Sequence, residues 1–230
     1  MDLIGRQPAL ATDLGVGGRL RRLCGAAAGA LSAAGGGGSV LAENGVRGIS
    51  ATSDVTSERL EELQFVLGEG PCIDAVATRR PVLVPDFDAA TMMRWPGYTP
   101  AIQDCGARAV FAFPLQVGAA RLGAMDVFRT EPGGLSAEEL GHALTFAEVA
   151  VTILLNGQDA PAGAGAGPAE EVEHRAELFQ AQGMVMVQLG VSLAEALTRI
   201  RAFAFADNRS LHDVAVDIVE RRLRFDRDQP

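Results

Sequence analysis

Apolar positions recur at two periods along this chain, and the changes of period mark its elements. Helical spacing covers about residues 17–34. The run Gly35–Gly38 breaks that helix. Short apolar runs then predict strands near Ser39–Glu43 and Arg47–Ala51, joined at Asn44-Gly45, a hairpin pair because both residues tolerate positive φ. Leu60, Leu63 and Leu67 return to helical spacing, with Thr56 or Asp54 as the cap of a helix reaching about Val66. A short helix over Cys72–Thr78 and a short strand over Pro81–Val84 follow. The segment Trp95-Pro-Gly-Tyr98 reads as loop. Ala109–Val117 and Arg121–Phe128 predict a second hairpin turning at Gly118-Ala-Ala120. Ser136-Ala-Glu-Glu139 is a capping box, in which each side chain satisfies a free backbone N–H, and it opens a helix to about Asn156.

After this comes Ala160-Pro-Ala-Gly-Ala-Gly-Ala-Gly-Pro168, which can bury nothing and prefers no single conformation, so residues 157–169 read as a linker. The pattern then becomes purely helical. A first helix, about Glu170–Leu189, places Val172, Ala176, Phe179, Gly183, Met186 and Val187 at helical spacing and stops at Gly190. Ser192 with Glu195 forms another capping box, and the second helix carries Leu193, Ala196, Leu197, Ile200, Phe203 and Ala204 on one face. Ser210, with Asp213 three residues on, caps a third helix that buries Leu211, Val214, Ala215 and Ile218. Three such stripes are satisfied only against one another. The fold class is α+β: an antiparallel sheet flanked by helices over residues 15–156, followed by an all-α three-helix bundle over 170–226.

Composition narrows the function classes. Hydrophobic residues make up 48% and charged residues 21%, which implies packed cores. The net charge of −9 argues against binding nucleic acid by general basicity. Residues 170–230 hold 8 Arg and 11 acidic residues, net −3, so any nucleic-acid contact there needs a local Arg patch. All 20 basic residues are Arg, a compositional bias rather than a functional signal. Cys24, Cys72 and Cys105 are odd in number and have no metal-like spacing, as expected in a reducing cytoplasm. Arg21-Arg22 before the small-residue run Cys24–Gly38 is a poor export signal, because Ala and Gly stand where Leu should. No apolar run reaches the roughly 18–20 residues of a membrane span.

Catalytic chemistry has little support. Ser53, Asp54, Cys72 and His142 hold the right functional groups, but nothing sets a nucleophile beside a base, and no nucleophile elbow or phosphate loop is present. Arg94-Trp-Pro-Gly-Tyr98 holds the only Trp and the only Tyr, and reads either as an aromatic lid over a pocket or as an apolar plug under a long loop.

The first half resembles the GAF family of small-molecule-sensing domains. The resemblance rests on Leu67-Gly-Glu-Gly-Pro-Cys-Ile-Asp-Ala75, Arg80-Pro-Val-Leu-Val-Pro-Asp86, Gly106-Ala-Arg-Ala-Val-Phe-Ala-Phe-Pro-Leu115 and Leu122-Gly-Ala-Met-Asp-Val127. It implies a five- or six-stranded antiparallel sheet with a ligand-sized cavity on one face, for which Cys72, Arg94, Trp95, Tyr98 and Phe113 are the candidate contacts. The ligand class stays open, and no cofactor is expected. Haem lacks an axial ligand, since His142, in the last helix, is the only His before residue 174. A bilin needs a reactive thiol, whereas Cys72 and Cys105 read as structural.

The C-terminal part resembles the ANTAR family of RNA-binding antiterminator modules. Its matching elements are Ala181-Gln-Gly183, Met186, Gly190-Val-Ser192, Glu195-Ala196, Ile200-Arg201, Ala204, Arg209 and Leu211-His-Asp-Val-Ala215. The resemblance implies homodimers that bind hairpins in nascent transcripts under the control of an attached sensor. Candidate RNA contacts are Arg175, Gln182, Arg199, Arg201, Arg209, Arg221 and Arg222, with Arg224 at the same helix end. Arg holds phosphate with two hydrogen bonds or stacks on an unpaired base. Many family members carry Lys at the place of Gln182, so this chain gives up a charge there. On the alternative reading, these Arg pair with Glu195, Asp207, Asp217 and Glu220, and the bundle is a dimerisation scaffold with a degenerate RNA face. A DNA-reading helix-turn-helix fits poorly, because the third helix shows mostly acidic residues outward.

Overall fold

The computed structural model describes residues 15–41, 47–158, 169–207 and 209–226. Asn44-Gly45 and the linker core 159–168 lie outside them. The chain divides into two compact units.

The first unit is built on a five-stranded sheet in the order β2-β1-β5-β4-β3, with β1 Gly35–Leu41, β2 Arg47–Thr52, β3 Val82–Val84, β4 Ala109–Val117 and β5 Ala120–Arg129. Every pairing is antiparallel. The β4–β5 hairpin closes as expected, with Val117 opposite Ala120. The Gly35–Gly38 run is a correction: it does not separate a helix from a strand but forms the first half of β1, pairing with Phe128, Val127, Asp126 and Met125 in turn. Helix α1 accordingly ends earlier, at Val16–Ala30.

Strand alternation gives the sheet two unlike faces. On one side, α1 and α6 (Ala137–Gln158) cover an apolar core that includes Leu20, Leu23, Phe111, Phe113, Leu115, Met125, Val127, Phe146 and Leu154. Arg129 clamps this layer. Its guanidinium donates to the Leu31 carbonyl at 2.5 Å and to Glu139 at 2.5 Å, and Glu139 is itself half of the Ser136 capping box.

The other side carries α2 (Val55–Leu67), α3 (Pro71–Thr78), α4 (Ala89–Arg94) and α5 (Tyr98–Asp104). The last two are short helices on either side of the segment expected to be loop. Helix α4 is held by a reciprocal cap between Asp88 and Thr91, a local device with no apolar stripe to announce it. Asp54 caps helix α2 from the residue before it, its carboxylate accepting the Ser57 N–H at 2.9 Å. Its buried residues are Ser57, Leu60, Glu61 and Gln64, so the inward stripe of this helix is largely polar.

The second unit is the expected bundle: α7 Ala169–Leu189, α8 Leu193–Ala206 and α9 Leu211–Val219. Ser192 and Ser210 both accept the N–H three residues on. Leu211, Val214, Ala215 and Ile218 are all buried, as are Ala196, Leu197, Ile200 and Ala204. Helix α7 differs from its predicted stripe: Ala181, Gln182 and Val185 face inward, while Phe179 and Val187 are exposed, Val187 by 74%. No helix among the described residues is long and apolar enough to cross a membrane.

Candidate functional site

A buried polar chamber occupies the α2–α3 face of the sheet. Ser39 of β1 donates to Glu61 Oε2 at 2.6 Å. Gln64 donates through Nε2 to Asp126 Oδ2 at 2.5 Å and accepts the Cys72 N–H at 2.7 Å. Glu61, Cys72 and Asp126 bring their terminal atoms within 4.8 Å of one another. Tyr98 is fully buried nearby. Its hydroxyl has no hydrogen-bond partner among the described residues. Burial, and then the charges of Asp126, Glu61 and Cys72, push its ionisation well above the usual tyrosine range. Cys24 lies under the floor of the sheet. Burial pushes its thiol up, with Glu61 and Asp126 adding to the effect, which makes it an inert thiol.

The Gly-Glu-Gly-Pro-Cys run builds this chamber. Gly70 has φ +132, and a Cβ there would stand 2.7 Å from Gln64 Oε1, so no other residue lets the amide reach the Cys72 backbone. Pro71 opens α3, where a missing N–H costs nothing. Glu69 reaches across to accept the Gly97 and Tyr98 N–H groups at 2.7 and 2.8 Å, seating the segment that carries Tyr98. On the sheet side, a Cβ at Gly37 would stand 2.5 Å from Glu61 Cγ. The glycine in β1 is what lets that carboxylate lie flat on the strand.

The residues expected around a ligand divide. Cys72 and Tyr98 belong to the chamber. Phe113 does not: it shares a pleat face with Phe111 and Leu115 and is packed in the α1–α6 core. Trp95 and Tyr98 are buried and meet edge to face at 6.2 Å, with Phe87 against Tyr98 at 6.5 Å. That segment is therefore a plug and not a lid. Arg94 stays outside, donating to Asp74 at 2.7 Å with its guanidinium 4.6 Å from the Trp95 ring. Ser39, Glu61, Gln64 and Asp126 were missed. The signal for Asp126 was a lone acid inside Ala124-Met-Asp-Val-Phe128. The signal for Glu61 and Gln64 was their place on the helical stripe of Leu60.

In the bundle, Asp217 gathers two of the expected RNA contacts. Arg209 donates to its Oδ2 at 2.5 Å and Arg222 to its Oδ1 at 2.6 Å. Arg222 also pairs with Glu220. The Arg209 hydrogen bond first, and Arg222 after it, hold the Asp217 carboxyl below its usual range. Arg199 sits 3.9 Å from Glu195 one turn earlier. Arg221 and Arg224 are exposed and Arg201 is half-buried. Arg175 lies in α7, and its side chain falls outside the described residues. Gln182 is a correction. Only 4% exposed, it donates through Nε2 to the Leu193 carbonyl at 2.7 Å, so it ties α7 to the first turn of α8 and offers no surface.

The sequence model of the GAF domain matches residues 16–155, and that of the ANTAR domain matches residues 169–219. The chain belongs to the GAF family, with an ANTAR domain following. A GAF domain is a signal-sensing module and an ANTAR domain an RNA-binding regulatory one, which places the chain among signal-regulated RNA-binding regulators. No curated protein matches the chain. Among solved structures, the GAF domain resembles the photoproduct state of GAF3 from Slr1393 of Synechocystis sp. PCC6803 at 16% identity and TM-score 0.50, over 63% of this chain and 96% of that one. A domain of a putative two-component sensor histidine kinase protein from Sinorhizobium meliloti 1021 aligns at 22% identity and TM-score 0.49, over 61% and 90%. The GAF domain of an Acinetobacter phosphoenolpyruvate-protein phosphotransferase aligns at 13% and 0.48, over 67% and 87%. At these identities the likeness concerns the fold alone.

Proposed function

We propose that this protein acts by transcription antitermination: as a cytoplasmic homodimer it binds hairpins in nascent RNA through its ANTAR domain, under control of a signal received by the GAF domain. The observation that carries this reading is the ANTAR match together with Arg209 and Arg222 converging on Asp217. Two guanidiniums fixed by one carboxylate form a pre-oriented pair that can grip successive phosphates with little further loss of side-chain entropy. The apolar stripe of Phe179 and Val187 on α7 supports the dimer, because a second copy of α7 can cover it.

The test is binding of the full chain, and of an Arg209→Ala, Arg222→Ala double variant, to a pool of short RNA hairpins at two salt concentrations. Selective enrichment by the parent chain, lost in a variant that keeps its helical circular dichroism, supports the reading. Absence of enrichment at low salt, or equal binding of duplex DNA, contradicts it. The second reading, a dimerisation scaffold with a degenerate RNA face, is favoured by one observation: Arg199, Arg209 and Arg222 each already have a carboxylate partner. Dimerisation without any salt-sensitive RNA binding is its signature.

A further inference from the structure

Past α9 the chain turns back onto the bundle. Arg221 takes a left-handed backbone, φ +62, and its N–H donates to the Ile218 carbonyl while the Arg222 N–H donates to that of Asp217. This reversal closes many helices, but here an arginine holds the conformation that glycine adopts at lower cost. The following residues form a strap across the other two helices. The Phe225 N–H donates to Gln188 Oε1 on α7 at 2.9 Å, and the Phe225 ring meets Phe203 of α8 edge to face at 5.6 Å. Exposure alternates along the strap: Leu223 and Phe225 are half-buried, Arg224 and Asp226 exposed. All of it lies beyond residues 169–219, which the ANTAR model matches.

Charge singles the strap out. Between Glu220 and Asp226 it holds three arginines and no acid, in a stretch, residues 170–230, whose net charge is −3. Arg222 is taken up by Asp217 and Glu220. Arg221 and Arg224 have no carboxylate partner among the described residues. They therefore offer whole guanidiniums to a phosphate, where Arg209 and Arg222 share theirs with Asp217. The backbone beneath them is already fixed, at Ile218 before and at Gln188 and Phe203 after, so less entropy is lost on binding than from a loose tail.

We propose that this strap is a second phosphate-holding edge of the bundle: Arg221 and Arg224 contact the backbone of the RNA hairpin, and Phe225 is the positioning residue that holds Arg224 in place through Phe203 and Gln188. The proposal rests on the RNA-binding reading given above.

The experiment measures affinity of the full chain for an RNA hairpin selected by the parent, at salt concentrations between about 50 and 200 mM. The Arg221→Gln, Arg224→Gln double variant should lose about tenfold or more near 0.1 M salt, and its salt slope should be shallower by roughly 1.4–1.8, the share of two phosphate contacts. Phe225→Ala should weaken binding, Phe225→Tyr should keep it, and Arg224→Gln should cost less in the Phe225→Ala background than in the parent. If Phe225→Ala does not fold, Phe225→Leu, which keeps bulk without the ring, takes its place. A double variant with unchanged affinity and slope, while the Arg209→Ala, Arg222→Ala variant loses binding, overturns the strap and leaves the RNA reading standing. A lowered melting temperature with an unchanged slope assigns the two arginines to the α9 helix dipole and overturns it too. Fully additive losses overturn the role of Phe225. A parent chain that binds no hairpin at any salt overturns both readings.

Discussion

Gln64 Nε2 lies 2.5 Å from Asp126 Oδ2, a bond that spans 62 positions of sequence and fastens α2 to the middle of β5. Gln64→Leu keeps the volume but leaves a buried carboxylate without this donor and the Cys72 N–H without its acceptor. A loss of roughly 2–4 kcal/mol is expected for the GAF domain, measured by urea denaturation. A loss below about 1 kcal/mol would mean that the amide is not what holds the acid.

Gln182 makes a different kind of bond, from a buried amide to the Leu193 carbonyl at the first turn of α8. Gln182→Ala removes the donor and opens a small void, with an expected cost of about 1–3 kcal/mol to the bundle. Thermal melting followed at 222 nm, a general helix signal, reads that loss. RNA affinity measured well below the melting transition should stay close to the parent value, whereas a surface role for Gln182 would lower affinity and leave the melt unchanged.

Asp217 sets an acid sensitivity. Its carboxyl is held below the usual value of 3.8 by Arg209 and Arg222, so its folded pKa lies below its unfolded one. The stabilisation is therefore complete above 3.8 and disappears as pH falls through the depressed value. Asp217→Asn should flatten this part of the stability–pH curve. The same change releases the two guanidiniums that this carboxylate orients, so RNA binding should weaken with little change in its salt dependence. Stronger binding with a steeper salt slope would show that Asp217 restrains the pair instead of orienting it.

Tyr98 buries a hydroxyl with no hydrogen-bond partner among the described residues, and a buried donor without an acceptor is unfavourable. Tyr98→Phe should therefore raise the stability of the GAF domain by roughly 1 kcal/mol, visible as a higher melting temperature. Destabilisation would reveal a bond to that oxygen in solution.

Val187, 74% exposed on α7, tests the dimer. Val187→Arg places a charge in the stripe it shares with Phe179 and should yield monomers by light scattering, with the bundle's helical signal intact. A persistent dimer would locate the contact elsewhere.

The capped helices and the β4–β5 hairpin were readable from sequence because each carries a local signature: Ser136, Ser192 and Ser210 with their partners three residues on, and the turn at Gly118. The third helix of the bundle was readable to the residue, since its apolar stripe has no competitor. Helix α7 was not, because apolar residues lie on more than one of its faces and only packing decides between Ala181, Gln182 and Val185 and the Phe179–Val187 side. The chamber was half readable. Cys72 and Tyr98 stood out by type and motif, but Glu61, Gln64 and Ser39 look like ordinary surface residues until β1 passes beneath α2. Phe113 was misplaced by one step of the pleat, which turns a side chain to the opposite face of the sheet.

Asp126 faces the chamber, while its neighbours Met125 and Val127 are embedded among the side chains of the α1–α6 layer. The backbone between them is a single pleated ribbon, paired on both edges by β1 and β4. Whatever pulls on Asp126 from one side must tilt Met125 and Val127 on the other, because a strand this constrained rocks as a plank and cannot bend at one residue. The sheet is thus less a wall between pocket and helices than a rocker, with three consecutive residues as its pivot.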